Sequence, residues 1–199
     1  MRYDAEHKQR TRELLLKEAA SAIRLEGPDR VGVAGIMAKA GLTHGGFYAH
    51  FASKEELVVR AIEQMFVDGR NRFDRTVADK GPAEALAAYI DFYLSETHRD
   101  RRDRGCPLPA LSGDLARLDL AARETFERGI GLLTGLLAER LAAIGRDDPQ
   151  ELATSMLSEL VGALVVARSI ADPARSGAIL KASRRNLKAR LGLPAETSA

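Results

Sequence analysis

Residues 33–57 read VAGIMAKAGLTHGGFYAHFASKEEL. Val33, Ile36 and Ala40 give the opening a helical apolar stripe, and it runs into Gly41, which reaches positive φ without steric cost and suits a tight turn. Thr43 is a residue type that caps helix starts. Phe47 and Phe51, four apart, anchor a second helix over residues 43–50 inward, and Leu42 fills the space between the two helices. Helix, glycine turn, helix is the order of a helix-turn-helix. The pair Gly45-Gly46 is unexpected, because each glycine costs a helix about 1 kcal/mol relative to alanine. With the phenylalanines facing in, Thr43, His44, Gly45, Gly46, Tyr48 and His50 remain for the other face. That set offers hydroxyls, imidazoles and bare backbone, with no carboxylate to repel phosphate. Glycine there lets a backbone approach a DNA strand, and an exposed helix start favours phosphate. The alternative is a plain loop between two helices.

Outward from this stretch, helical periodicity continues in both directions. Residues 11–26 carry Leu15, Ala19, Ala22 and Ile23 on one stripe, and GPD at 27–29 ends it. SKEE at 53–56 reads as a capping box, with Ser53 accepting from the helix start and Glu56 reaching back. It opens a long helix through Leu57, Val58, Ala61, Met65 and Phe66, broken by KGP at 80–82. Further helices are expected at about residues 82–98, 110–117, 119–144, 149–170 and 173–191, with RDRRDRGCP at 99–107 as a loop. No strand candidate and no internal repeat is present in the pattern. The expectation is an all-α protein of about nine helices, with a helix-turn-helix DNA-binding domain over residues 1–54 and a larger helical domain over 55–199.

Composition agrees with this. Among 199 residues, 45% are hydrophobic but only 5% aromatic, and tryptophan is absent, a balance that favours helices over strands. The net charge of +2 does not by itself announce a nucleic-acid partner. Residues 1–54 hold nine Lys/Arg against six Asp/Glu, and residues 172–191 hold six against one, the latter read as a solvated face. MRYDAEHKQR has no apolar core of the kind a secretory signal needs. The uncharged apolar run at residues 129–138 falls short of the ~20 residues that span a bilayer. The single cysteine, Cys106, forms no internal disulfide, which fits a reducing compartment. The expected location is cytoplasmic, with no membrane partner. The four histidines make no metal-ligand pair, and no GxSxG or P-loop spacing occurs, so no catalytic residue, metal or cofactor is expected and an α-helical enzyme is the weaker alternative.

The stretch resembles the DNA-binding domain of TetR-family transcriptional regulators. The resemblance opens at Thr11-Arg12 and passes through Ala19-Ala20 and Gly27. It is densest at Ile36, Ala40-Gly41, Leu42-Thr43, Gly45, Phe47-Tyr48, His50-Phe51, Ser53-Lys54 and Leu57. It implies double-stranded DNA as a partner, a homodimer on two half-sites, an unknown small-molecule inducer, and residues 55–199 as the ligand-binding and dimerisation domain. Within the head it implies phosphate contacts by Thr43, Tyr48, Lys54 and Thr11, and base edges facing His44, Gly45 and Gly46, with His50 on the same surface. Three positions depart from the family pattern: Gly32 where Thr is frequent, Ile23 where an aromatic is usual, and Met37 where Ala is usual. The resemblance implies regulation of transcription, with a repressor first and an activator or corepressor-dependent regulator as alternatives.

Beyond the head, LVGALVVA at residues 160–167 is apolar almost all round, with Ser155, Ser158 and Gly162 small enough for close helix approach. Leu180, Leu187 and Leu191 stripe the last helix. Such faces serve an intramolecular core or a partner equally. The resemblance implies a dimer interface, with Leu160, Leu164, Leu180 and Leu187 in it and Lys181, Arg184, Arg185, Lys188 and Arg190 solvated. Tyr89, Phe92 and Tyr93, with Phe126 and Met156, are either core or the lining of an inducer pocket. Cys106 follows Arg101, Arg102 and Arg104 and sits where a helix begins, both of which favour thiolate. It is either a structural thiol or, as GCPLPALSGDLA in some TetR-like regulators implies, a sensor.

Overall fold

The computed structural model describes residues 2–195. Among these residues there are nine α-helices, three short 3-10 segments and no strand. The helices are α1 (Arg2–Glu26), α2 (Val33–Lys39), α3 (Lys54–Val77), α4 (Pro82–Tyr93), α5 (Glu96–Asp100), α6 (Pro107–Leu111), α7 (Leu120–Ala143), α8 (Pro149–Arg168) and α9 (Pro173–Arg190). The 3-10 segments are His44–Ala49, Arg102–Arg104 and Leu115–Arg117. The all-α expectation holds.

The chain divides into two compact units. One holds the residues up to Asp68 together with Arg102–Glu127, and the other holds Gly69–Arg101 with the described residues from Arg128 onward. The cut differs from a boundary at residue 54 because α3 contributes to both cores: Leu57, Val58, Ala61, Ile62 and Met65 are buried in its first half, Phe73 and Val77 in its second.

In the first unit, α1 buries Leu15, Ala19, Ala20, Ala22 and Ile23, the stripe its periodicity predicts. It begins at Arg2 rather than near Thr11, because its early turns carry helix formers without an apolar stripe for periodicity to detect. Arg24, 4% exposed, lies 3.6 Å from Asp68 of α3 and donates to the Asp103 carbonyl at 3.5 Å. Phe66 of α3 and Phe126 of α7 meet edge to face at 5.4 Å.

In the second unit, Phe73, Tyr89, Phe92, Tyr93 and His98 form one aromatic cluster, with Phe73–Tyr89 at 4.9 Å and Phe92 stacked on His98 at 5.2 Å. The single helix expected over residues 82–98 is two, because the Ser95 hydroxyl donates to the Phe92 carbonyl at 2.7 Å and accepts from the His98 N–H at 3.1 Å, capping a new start. α8 packs on α9, and Leu160, Leu164, Leu180 and Leu187 are all buried within the chain. Their destination is therefore the intramolecular core, the other of the two readings the sequence allowed. Lys188 is not solvated as expected. It is 2% exposed and its ammonium donates to Asp91 at 2.6 Å, with Arg184 3.7 Å from the same carboxylate. By length and composition alone α8 could cross a membrane, with a mean hydropathy of 1.2.

Candidate nucleic-acid interface

α2 is pinned by Ile36 and Met37, 3% and 1% exposed, and Gly32 caps it in an extended conformation without a side-chain bond. At its end Gly41 takes φ of 70°, a conformation that strains residues with a Cβ, and the Leu42 N–H returns to the Met37 carbonyl at 2.9 Å. The chain then enters the second element already turned, with Thr43 extended at φ −80° and ψ 150°. Leu42 is only half-buried, and Thr43 makes no side-chain cap bond.

The second element, His44–Ala49, is a 3-10 segment rather than an α-helix. Two adjacent glycines remove its intrinsic α preference, and 3-10 winding is tolerated in pieces this short. Its seating is as expected. Phe47 and Phe51 are 3% and 2% exposed with rings 5.6 Å apart, and the Phe51 N–H bonds the Phe47 carbonyl at 3.1 Å.

Facing outward are Thr43, His44, Gly45 and Tyr48, the last 69% exposed and supported edge-on by Phe47 at 5.3 Å. Gly46 is half-buried; a Cβ on it would sit 3.5 Å from Met37 Cε, an ordinary contact. A Cβ on Gly45 would meet nothing within 4 Å. Neither glycine adopts the left-handed conformation, so nothing inside the fold demands glycine at either position. His50 is turned partly inward. Burial, with Lys8 and Arg12 nearby, holds its imidazole below the ordinary histidine value. Lys54 starts α3 and donates to the Asp29 carbonyl at 3.1 Å, while Thr11 is half-buried on α1.

The capping box is shifted by one residue. Ser53 Oγ accepts from the Glu56 N–H at 3.2 Å as expected, but Glu56 reaches the N–H of Ala52 at 2.7 Å. That bond, with Arg12 beside it, holds the Glu56 carboxyl below its ordinary value. Arg12 is the residue that periodicity missed. Its guanidinium donates to the His50 carbonyl, lies 4.4 Å above the Phe51 ring, and approaches Glu56 at 3.4 Å. No local signal identifies partners 38 and 44 residues away. Beside the α3 start, a cleft of about 260 Å³ is lined by Pro28, Asp29, Lys54, Glu55, Val58 and residues 117–119 and 122.

The other expected sites are placed as follows. Tyr89, Phe92 and Tyr93 are brought together, Met156 is buried on α8, and Phe126 lies in the first unit against Phe66. Cys106 is half-buried and precedes α6, which at five residues is too short to supply much dipole. Arg104, the last arginine before Cys106, pairs with Asp103 at 3.3 Å.

Residues 15–61 match the model of bacterial regulatory proteins of the tetR family, and residues 82–181 match that of the LmrA/YxaF-like transcriptional regulator C-terminal domain. YfiR, an HTH-type transcriptional regulator of Bacillus subtilis, is 26% identical over 103 residues, 52% of this chain and 50% of YfiR. The chain thus spans about half the length of that curated relative. Two solved structures share the fold. A TetR regulator from Chloroflexus aurantiacus aligns at TM-score 0.81 and 23% identity over 94% of this chain and 96% of its own. Reduced Escherichia coli NemR aligns at 0.82 and 22% over 94% and 99%. The head is matched across the residues that build the turn, and half the chain is matched again from α4 into α9. The chain belongs to the TetR family of bacterial transcriptional regulators, DNA-binding proteins rather than enzymes.

Proposed function

We propose that the protein is a cytoplasmic homodimeric repressor that occupies a palindromic operator and leaves it when a small ligand binds or when Cys106 is modified. The observation that carries the DNA-reading part is the open space over Gly45 beside the protruding Tyr48. The fold leaves glycine unexplained there, and close approach to a duplex explains it. In this reading Thr43, Tyr48, Lys54 and Thr11 hold phosphates, and His44, Gly45 and Gly46 meet base edges with His50 behind them. So few base-reaching side chains leave much of the sequence preference to DNA shape.

Dimerisation uses the outer face of α8, where Ser155, Ser158, Gly162, Val165 and Val166 are exposed. The inducer lies against the Tyr89, Phe92 and Tyr93 cluster, with Met156 of the same unit as a further lining residue and Phe126, in the first unit, no part of it. It works by binding the released state more tightly than the DNA-bound state. Cys106 acts by addition of its thiolate to a soft electrophile, the thiol proton passing to water.

Selection of bound sequences from a random duplex library tests the core of this. Recovery of a palindrome with two half-sites supports it, and enrichment of nothing above weak, salt-sensitive binding overturns it. With that palindrome in hand, Cys106→Ser is expected to bind normally and ignore an electrophile that releases the parent chain.

A further inference from the structure

Three features of the recognition turn need an outside hold. It is a six-residue 3-10 segment, it contains two glycines, and only Phe47 within it is buried. Segments of this kind have little intrinsic preference for one pose. The hold that reaches its far end comes from α1. The Arg12 guanidinium donates through Nη1 to the His50 carbonyl, the residue at the end of the turn, where backbone carbonyls lack helical partners. The same group lies 4.4 Å above the Phe51 ring and 3.4 Å from Glu56 Oε1, and Glu56 Oε2 in turn accepts from the Ala52 N–H at 2.7 Å. One side chain therefore touches the residue that ends the turn, the aromatic anchor after it, and the carboxylate that caps α3.

We propose that Arg12 is a positioning residue for DNA reading, which sets the pose of residues 44–50 by clamping the His50 carbonyl, the Phe51 ring and Glu56 to α1. This rests on the reading of residues 43–50 as the DNA-reading surface. A planar guanidinium is required, because it can bond a carbonyl and a carboxylate along its edge while its face lies on an aromatic ring. An ammonium cannot do all three at once. Arg12 is 28% exposed and its charge is matched by Glu56, so its role is geometric rather than a direct attraction to phosphate. Lys54 and the hydroxyls on the exposed face do the latter.

The variants Arg12→Lys, Arg12→Gln and Glu56→Gln separate the possibilities. The first measurement is the ratio of affinities for the selected palindrome and a scrambled duplex, taken at several salt concentrations below the melting temperature of each variant. Arg12→Lys and Arg12→Gln should each lower the ratio at least tenfold, with non-specific affinity and the salt slope unchanged. Glu56→Gln, which removes only the ion pair, should lower it two- to threefold. If Arg12 instead holds a phosphate, Lys will behave as the parent, and Gln will weaken all duplexes equally and reduce the salt slope by about one. That result overturns the proposal. So does a lowered melting temperature with an unchanged ratio.

The second measurement needs no DNA, so it stands even if the parent chain selects no palindrome. Amide exchange at residues 46–52 should accelerate at least tenfold in Arg12→Lys, with α8 amides unaffected. Unchanged exchange there overturns the assignment.

Discussion

At His44–Ala49 one residue of six, Phe47, is buried, whereas α8 buries seven of twenty, from Ala153 to Ala167. The first region keeps hydroxyl, imidazole and bare backbone in solvent and borrows its pose from Arg12. The second buries Leu157, Leu160 and Leu164 and leaves its outer face, with Ser155, Ser158, Gly162, Val165 and Val166, exposed. The contrast teaches that the two regions should fail in different ways. A change at the turn should cost recognition without stability, and a change in the α8 core should cost stability before anything else.

The largest effect is expected at Leu164, which is fully buried in α8. Leu164→Ala should lower unfolding free energy by about 2–5 kcal/mol, read from denaturant midpoints, through lost transfer energy and the cavity left behind. If the loss is under about 1 kcal/mol, the α8 core is looser than its burial indicates.

Next comes pH dependence in the aromatic cluster. His98 is 3% exposed, and burial pushes its pKa from 6.5 down to about 4. The Tyr93 carbonyl, accepting from Nδ1 at 2.8 Å, opposes that shift, and Arg168 and Arg72 assist it. The folded value is below the unfolded one, so the fold holds the neutral ring. The resulting stability is fully present above the unfolded value of 6.5 and is lost as pH falls towards about 4. That gap corresponds to roughly 3 kcal/mol. Melting temperature should fall across this window, and His98→Gln should flatten the profile. A parent profile that is already flat would show that His98 titrates normally.

The turn supplies the opposite behaviour. Gly45→Leu places a side chain where nothing in the fold touches it, so stability should change by less than about 0.5 kcal/mol. Affinity for the selected palindrome should drop about a hundredfold, near 2.7 kcal/mol. Retained affinity would break the comparison at its centre, since the glycine would then have no explanation inside or outside the fold. The smallest effect is expected from Tyr48→Phe. It keeps the edge-on packing against Phe47 and removes one hydroxyl, for a loss of about 1 kcal/mol in DNA affinity and no change in melting temperature.

Much of the head is legible in the sequence because its signals are local. The stripe of α1, the positive φ at Gly41 and the Phe47–Phe51 spacing all lie within a few residues of what they specify. The 3-10 winding of the turn was less legible, since the glycine pair weakens α preference without naming its replacement. The split between α4 and α5 depends on one serine that competes for backbone partners, a choice periodicity does not register.

What the sequence alone determined is the class of the chain, the existence of the helix-turn-helix and which faces are apolar. Only the tertiary structure decided what covers those faces and which charges meet. Leu160 and Leu180 read as core or interface until α8 is seen against α9. Lys188 reads as solvated until Asp91, 97 residues earlier, is found 2.6 Å away. Arg12 reads as one more surface arginine until it is found on the His50 carbonyl. The physical reason is the same in each case. Periodicity depends on neighbours along the chain, but burial and ion pairing depend on which distant helix the packing brings alongside.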